Sequence, residues 1–218
     1  MSILILIAHF LAPIISLCKL APQATKTFKN RHDTKALQSV SVLTQWMVVL
    51  SGVLWILLGV GLNSFTVYFP TIFQLSFAMF IIWMINKGTD KKVYMIPISL
   101  LMFLPIIYSL IFGLEDWHML LINIIAPILS FAMFIPQAAL AWKYRAEEEY
   151  IKGISASGQW LLILNATLWG LVAYDLQSFA VGAPGLVNLP LAVFTLSIIY
   201  RERILSFTHK KKQLVEAA

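Results

Sequence analysis

The chain has 218 residues, 60% of them hydrophobic and only 12% charged, with a mean hydropathy of +0.82. A soluble domain carries about twice that charged fraction, so the composition excludes an ordinary globular protein and points to lipid. The single cysteine, Cys18, excludes an internal disulfide and any cysteine-based zinc site, while the net charge of +6 raises the question of where the basic residues lie.

Apolar runs predict membrane-spanning helices at about 2–20, 40–61, 68–86, 93–113, 119–141, 155–174 and 183–200, each near the roughly 20 residues that cross a hydrocarbon core. The first run lacks a positive leader, contains Pro13 and precedes no small-residue cleavage pattern, so it reads as a span and not as a signal peptide. The first connection holds Lys19, Lys26, Lys29, Arg31 and Lys35, and the third holds Lys87, Lys91 and Lys92. The fifth carries Lys143, Arg145 and Lys152, and the tail Arg201, Arg203, Lys210, Lys211 and Lys212. All 16 basic residues thus fall on one side, opposite Glu115, Asp116 and Asp175. Seven spans satisfy this partition; six or eight break it. Positive charge marks the cytoplasmic side, so the expected topology is N-terminus outside and C-terminus cytoplasmic, most simply in a plasma (inner) membrane. The basic balance reflects the lipid bilayer as partner and gives no reason to expect nucleic acid.

The chain also repeats itself. A shift of 114 positions lays HFLAPIISLCKLAPQ (9–23) over NIIAPILSFAMFIPQ (123–137) without a gap. Pro13, Ser16, Pro22 and Gln23 meet Pro127, Ser130, Pro136 and Gln137, and Gln45, Trp46 and Trp55 meet Gln159, Trp160 and Trp169. Between 9–86 and 123–200, 25 of 78 positions are identical. Composition alone explains shared Leu and Ile; it does not explain Pro, Gln and Trp in register. Each copy has three spans, so the unmatched span at 93–113 restores the second copy to the orientation of the first, and such a parallel repeat places a cavity between the copies. The expected fold is all-α: a first triple-helix repeat at 1–90, a linker span at 91–114, a second triple-helix repeat at 115–203 and a tail at 204–218.

Candidate functional residues are the polar groups and prolines within the spans. Pro13, Pro22, Pro127 and Pro136 each remove a helical hydrogen bond; Pro22–Gln23 and Pro136–Gln137, duplicated at one depth, suit paired hinges or gates. Trp55 and Gln74 lie about six residues, roughly 9 Å, from the outer ends of their spans, and His9 lies at a similar depth. Asn123, Trp169 and Asn188 match them in the second repeat, with Ser51 and Asn165 one turn deeper. Such a layer is costly in a bilayer unless it faces a cavity. Indole faces and amides suit a neutral polyol, because the ring stacks on C–H groups while an amide both donates and accepts. The alternative for Trp55 and Trp169 is an interfacial aromatic belt, and for His9 a packing role. No Lys or Arg is expected inside a span, and Asp175 is the sole acid near the bilayer, so uncoupled transport is favoured. No metal cluster, phosphate loop or nucleophile constellation is visible. The chain is therefore read as a non-enzyme without a cofactor.

Two APQ/IPQ motifs with trailing basic residues, LW late in the next helix and an amide 19 positions on resemble the PQ-loop superfamily. Within it, the chain is similar to the SWEET and SemiSWEET sugar transporters. That resemblance implies that Trp55 with Gln74, and Trp169 with Asn188, line a sugar pocket together with Ser51 and Asn165. It also implies alternating access, with one triple-helix unit rocking against the other about the prolines. Three features depart from the family: Gln74 stands where Asn is expected, Ser41 and Ser155 replace a second pair of prolines, and the tyrosine-glycine after each Trp is missing. Other branches of the superfamily carry amino acids with protons, or act as non-transporting receptors. The expected function is facilitative transport of a small neutral solute, a mono- or disaccharide, by one chain, with a homo-oligomer left open.

Overall fold

A computed structural model describes residues 2–61, 65–89, 104, 108, 113, 116–175 and 179–216. The predicted span at 93–113 therefore lies outside the described residues, apart from Leu104, Tyr108 and Gly113. The helices are α1 (Ile3–Cys18), α2 (Ala21–Lys29), α3 (Thr34–Gln38), α4 (Val42–Gly61), α5 (Phe65–Gly88), α6 (Asp116–Ala132), α7 (Ile135–Lys143), α8 (Glu148–Ile151), α9 (Ala156–Asp175) and α10 (Phe179–Glu216). Among the described residues, six stretches are long and apolar enough to cross a membrane, the first made of α1 with α2 and the fourth of α6 with α7. Helices suit that setting because each satisfies its own backbone where no water can.

The broken spans differ from the expected continuous ones, and proline gives the reason. A helical proline has no N–H, and its ring collides with the carbonyl four residues back. For Pro22 that residue is Cys18, where α1 stops, and for Pro136 it is Ala132, where α6 stops. Each chain turns over two residues and restarts with the proline in the first turn of the next helix, where its missing donor costs nothing. At the other end of the sequence, α10 runs well past the predicted span end at 200, because no Pro or Gly follows Pro190 to stop it.

α5 packs against both α1 and α4, and α10 packs against both α6 and α9. The six long helices thus form two sets of three. The sets meet where α1 packs on α9 and α4 packs on α6, contacts that the 114-residue shift interchanges. Ala8 and Ala12 of α1 are fully buried against Leu168 and Val172 of α9, small residues that let the helices approach closely. Outward faces carry Ile3, Leu4, Phe10, Leu120, Ile124 and Ile128, large apolar side chains left exposed for lipid. At the end bearing the basic segments, α3 packs on α8 across the same seam.

One position in that crossing has no room for a side chain. A Cβ on Gly153 would run into the Ala36 carbonyl oxygen and the Ser39 hydroxyl of the other set. Gly153→Ala is predicted to destabilise the protein by about 1–3 kcal/mol through overpacking, read as a lower melting temperature in detergent. Gly170→Ala, whose Cβ meets nothing within 4 Å, should leave it unchanged or raise it. Equal melting temperatures for the two variants would contradict this packing.

Candidate functional site

Between the two sets lies a cavity of about 140 Å³. Its twenty lining residues fall into ten pairs, each related by the 114-residue shift. Four pairs are identical: Ser16 with Ser130, Trp55 with Trp169, Val67 with Val181, and Pro70 with Pro184. Six differ: Lys19 with Met133, Val48 with Leu162, Ser51 with Asn165, Gly52 with Ala166, Thr71 with Gly185, and Gln74 with Asn188. The cavity sits on the pseudo-twofold relation between the sets.

Its polar layer is tied together across the seam. Trp169 Nε1 donates to Ser16 Oγ at 2.8 Å, and that hydroxyl donates to Asn165 Oδ1 at 2.6 Å. In the mirrored position Trp55 Nε1 donates to Ser130 Oγ at 3.0 Å, and the Ser51 and Ser130 hydroxyls are hydrogen-bonded at 2.9 Å, either one able to donate. Each indole is thereby fixed in orientation by a serine of the opposite set. Asn188 Nδ2 donates to the Ser130 carbonyl at 3.0 Å, while its Oδ1 is buried without a partner. A buried acceptor left unpaired is costly and asks for a donor.

Of the residues expected to bind solute, Trp55, Gln74, Trp169, Asn188, Ser51 and Asn165 therefore line one cavity. His9 and Asn123 do not. They lie seven residues before Ser16 and Ser130, two helical turns or roughly 10 Å toward the opposite end. Depth counted from span ends sets them level with the indoles, whose N–H groups instead reach Ser16 and Ser130. Asn123 is exposed and donates to the Met119 carbonyl of its own helix at 2.9 Å. His9 Nε2 lies 3.0 Å from Asp175 Oδ2, tying α1 to α9 with both side chains about one third exposed. Neither Pro13 nor Pro127 reaches the cavity wall.

Toward the basic end the cavity is closed. Leu20, Met133 and Phe134, each no more than 7% exposed, pack together with Val48 and Leu162 below the indole layer. Beneath them the two glutamines after the prolines clamp the opposite set reciprocally. Gln23 donates to the Gly153 carbonyl at 2.9 Å and accepts from the Ser155 N–H at 2.8 Å. Gln137 donates to the Ser39 carbonyl at 3.0 Å and accepts from the Ser41 N–H at 2.9 Å. Ser39 and Ser41 correspond to Gly153 and Ser155 by the repeat, so the clamp is symmetric. Lys26 Nζ adds a bond to the Ile154 carbonyl at 2.6 Å. Further out, Lys35 pairs with Glu149 at 2.5 Å. Their hydrogen bond and opposite charges raise the lysine pKa and lower that of the glutamate, although an exposed pair contributes little to stability.

Among the wall residues that were not expected, Ser16, Ser130 and Lys19 bear most on the site. Ser16 and Ser130 were visible as an in-register pair, but a serine in an apolar span is ordinarily silent. Lys19, assigned to the basic flank, is only 8% exposed and lines the cavity. This corrects the expectation that no span carries an interior Lys or Arg.

In structure the chain is similar to a eukaryotic SWEET transporter, with a TM-score of 0.66 at 16% identity, over 91% of this chain and 96% of that one. At that identity the likeness shows a shared fold. Neither a family model nor a curated protein matches this chain.

The glutamine clamp is testable by removal. Gln23→Leu and Gln137→Leu each strand a buried backbone N–H and carbonyl of the other set, a cost of about 1–3 kcal/mol per unsatisfied group. Both variants should melt lower than the parent protein. A melting temperature equal to the parent's for either would contradict the clamp.

Proposed function

We propose that the chain is a facilitative carrier of a small hydroxylated solute, a mono- or disaccharide, working by alternating access. The observation that carries this reading is the twofold-related cavity on the seam, walled by two indoles, amides and hydroxyls and closed at one end. Because Ser16 and Ser130 take up both indole N–H groups, the ring faces are left to stack on the apolar C–H surface of a sugar. Asn188 and, from the other unit, Gln74 line the cavity with amides that can both accept from and donate to sugar hydroxyls.

The units are the segments 1–90 and 115–203, joined by a seventh span within 91–114 in a 3-1-3 order. The basic end is cytoplasmic and the N-terminus is outside, in a plasma membrane. Rocking one unit against the other parts the Gln23 and Gln137 clamps and closes the opposite end, where His9 and Asp175 meet. The breaks before Pro22 and Pro136 are the hinges, since each interrupts the helical ladder beside its clamp. One chain supplies both halves of the site and so needs no partner subunit to complete it.

Trp169→Ala and Asn188→Ala should each abolish saturable uptake of labelled glucose and sucrose into proteoliposomes, with yield and melting behaviour retained. Wild-type rates in either variant would refute the site. If uptake instead rises with an imposed proton gradient and is lost in Asp175→Asn, the scaffold is a proton-coupled carrier.

A further inference from the structure

The wall of the cavity holds one formal charge. Lys19 caps the C-terminus of α1, immediately before the break that Pro22 imposes, and is 8% exposed. It lines the main cavity on one side and a smaller one of about 30 Å³, on the basic side of the plug, on the other. Neither lining contains an aspartate or glutamate. Among the described residues its ammonium makes no hydrogen bond or ion pair. The equivalent position in the other unit is Met133, which also lines the main cavity, so the charge belongs to one half of an otherwise twofold site.

A buried cation without a counter-charge is expensive, and inside a membrane protein it marks a functional position. Lysines near helix ends commonly extend toward water. Here Lys19 is instead 8% exposed, beside Leu20 and Phe134 at 6% and 7%, which line the smaller cavity with it. The same cavity holds an unpaired acceptor, Asn188 Oδ1. The wall therefore offers a lone cation and the amide of Asn188, with indole faces between the two units.

We infer that the solute is acidic: a hydroxylated carboxylate of the sugar-acid class, whose carboxylate pairs with Lys19 while its hydroxyls bond Asn188. This rests on the carrier reading above and names the substrate class of that same site. The carboxylate supplies the counter-charge that the wall lacks, in a charge-assisted hydrogen bond. The methionine at the matching position makes the site asymmetric, which fixes which end of the solute faces which unit.

The test is uptake of labelled glucuronate and glucose into proteoliposomes by the full chain, compared as the ratio of kcat/KM values. The parent protein should favour glucuronate at least tenfold. Lys19→Met, which installs the residue the other unit already carries, should lower that ratio at least tenfold, and Lys19→Arg should keep it above one. A ratio at or below one in the parent, or one unchanged in Lys19→Met, overturns the inference; the second is the result for a lysine that only reaches toward water. Glucose flux without glucuronate flux sinks the acidic substrate and leaves the carrier standing. Flux of neither compound overturns both. Should Lys19→Met fail to fold, thermal shift of the parent decides: glucuronate must raise the melting temperature more than equimolar glucose, and an equal or smaller shift overturns the inference.

Discussion

In hydrocarbon a polar group must find its partner inside the protein, and for the cavity and its closure those partners lie across the seam between two sets of three helices. Ser16 is bonded by Trp169 and Asn165, Ser130 by Trp55 and Ser51, and Gln23 and Gln137 each grip the backbone of the opposite set. The constraint explains why the cavity, its closure and the two helix breaks occur at one interface. It also makes the seam the place where the structure can change. Bonds exchanged between two rigid bodies break together when the bodies part, whereas bonds within each body persist.

Within that symmetry, what is identical and what has diverged are sorted by role. The pairs that orient the walls and hold the sets together are the same in both halves: the serines, the cavity tryptophans, and the Pro-Gln steps. The polar pairs that differ are wall positions: Lys19 with Met133, Ser51 with Asn165, Thr71 with Gly185, and Gln74 with Asn188. Parallel repeats related by an axis along the membrane normal suit a motion in which the two units play equivalent parts. A solute lacks that symmetry, and the diverged positions are where its two ends can be told apart. The helix crossings tolerate such change by compensation. Gly59 lies against Tyr68 in one set and Ala173 against Gly182 in the other, so the small residue changes sides while the close approach is kept.

Much of this was legible in the sequence, because its register survives: Pro, Gln and Trp at a fixed spacing cannot come from apolar composition. Trp55, Trp169, Gln74 and Asn188 announced themselves as polar groups in apolar spans. Ser16 and Ser130 did not, since a serine hydroxyl in a helix usually bonds its own backbone and only the tertiary structure shows these two turned across the seam. Lys19 was hidden by its neighbours. Next to Lys26 and Lys29 it reads as one more flanking cation, and only the break at Pro22 turns it inward. His9 and Asn123 were placed in the binding layer by counting residues from span ends, a measure blind to how far an indole reaches back along the membrane normal.

The central claim is that the seam opens at the basic end during each cycle, and it can be tested by holding that end shut. Lys35 and Glu149 are exposed and meet across the seam there. With Cys18→Ala as background, Lys35→Cys and Glu149→Cys can be joined by a short bis-thiosulfonate reagent that a reductant cleaves. Saturable uptake into proteoliposomes should disappear in the cross-linked protein and return after reduction. Uptake at the uncross-linked rate in fully cross-linked protein would contradict the account, because solute would then be crossing without the two sets parting.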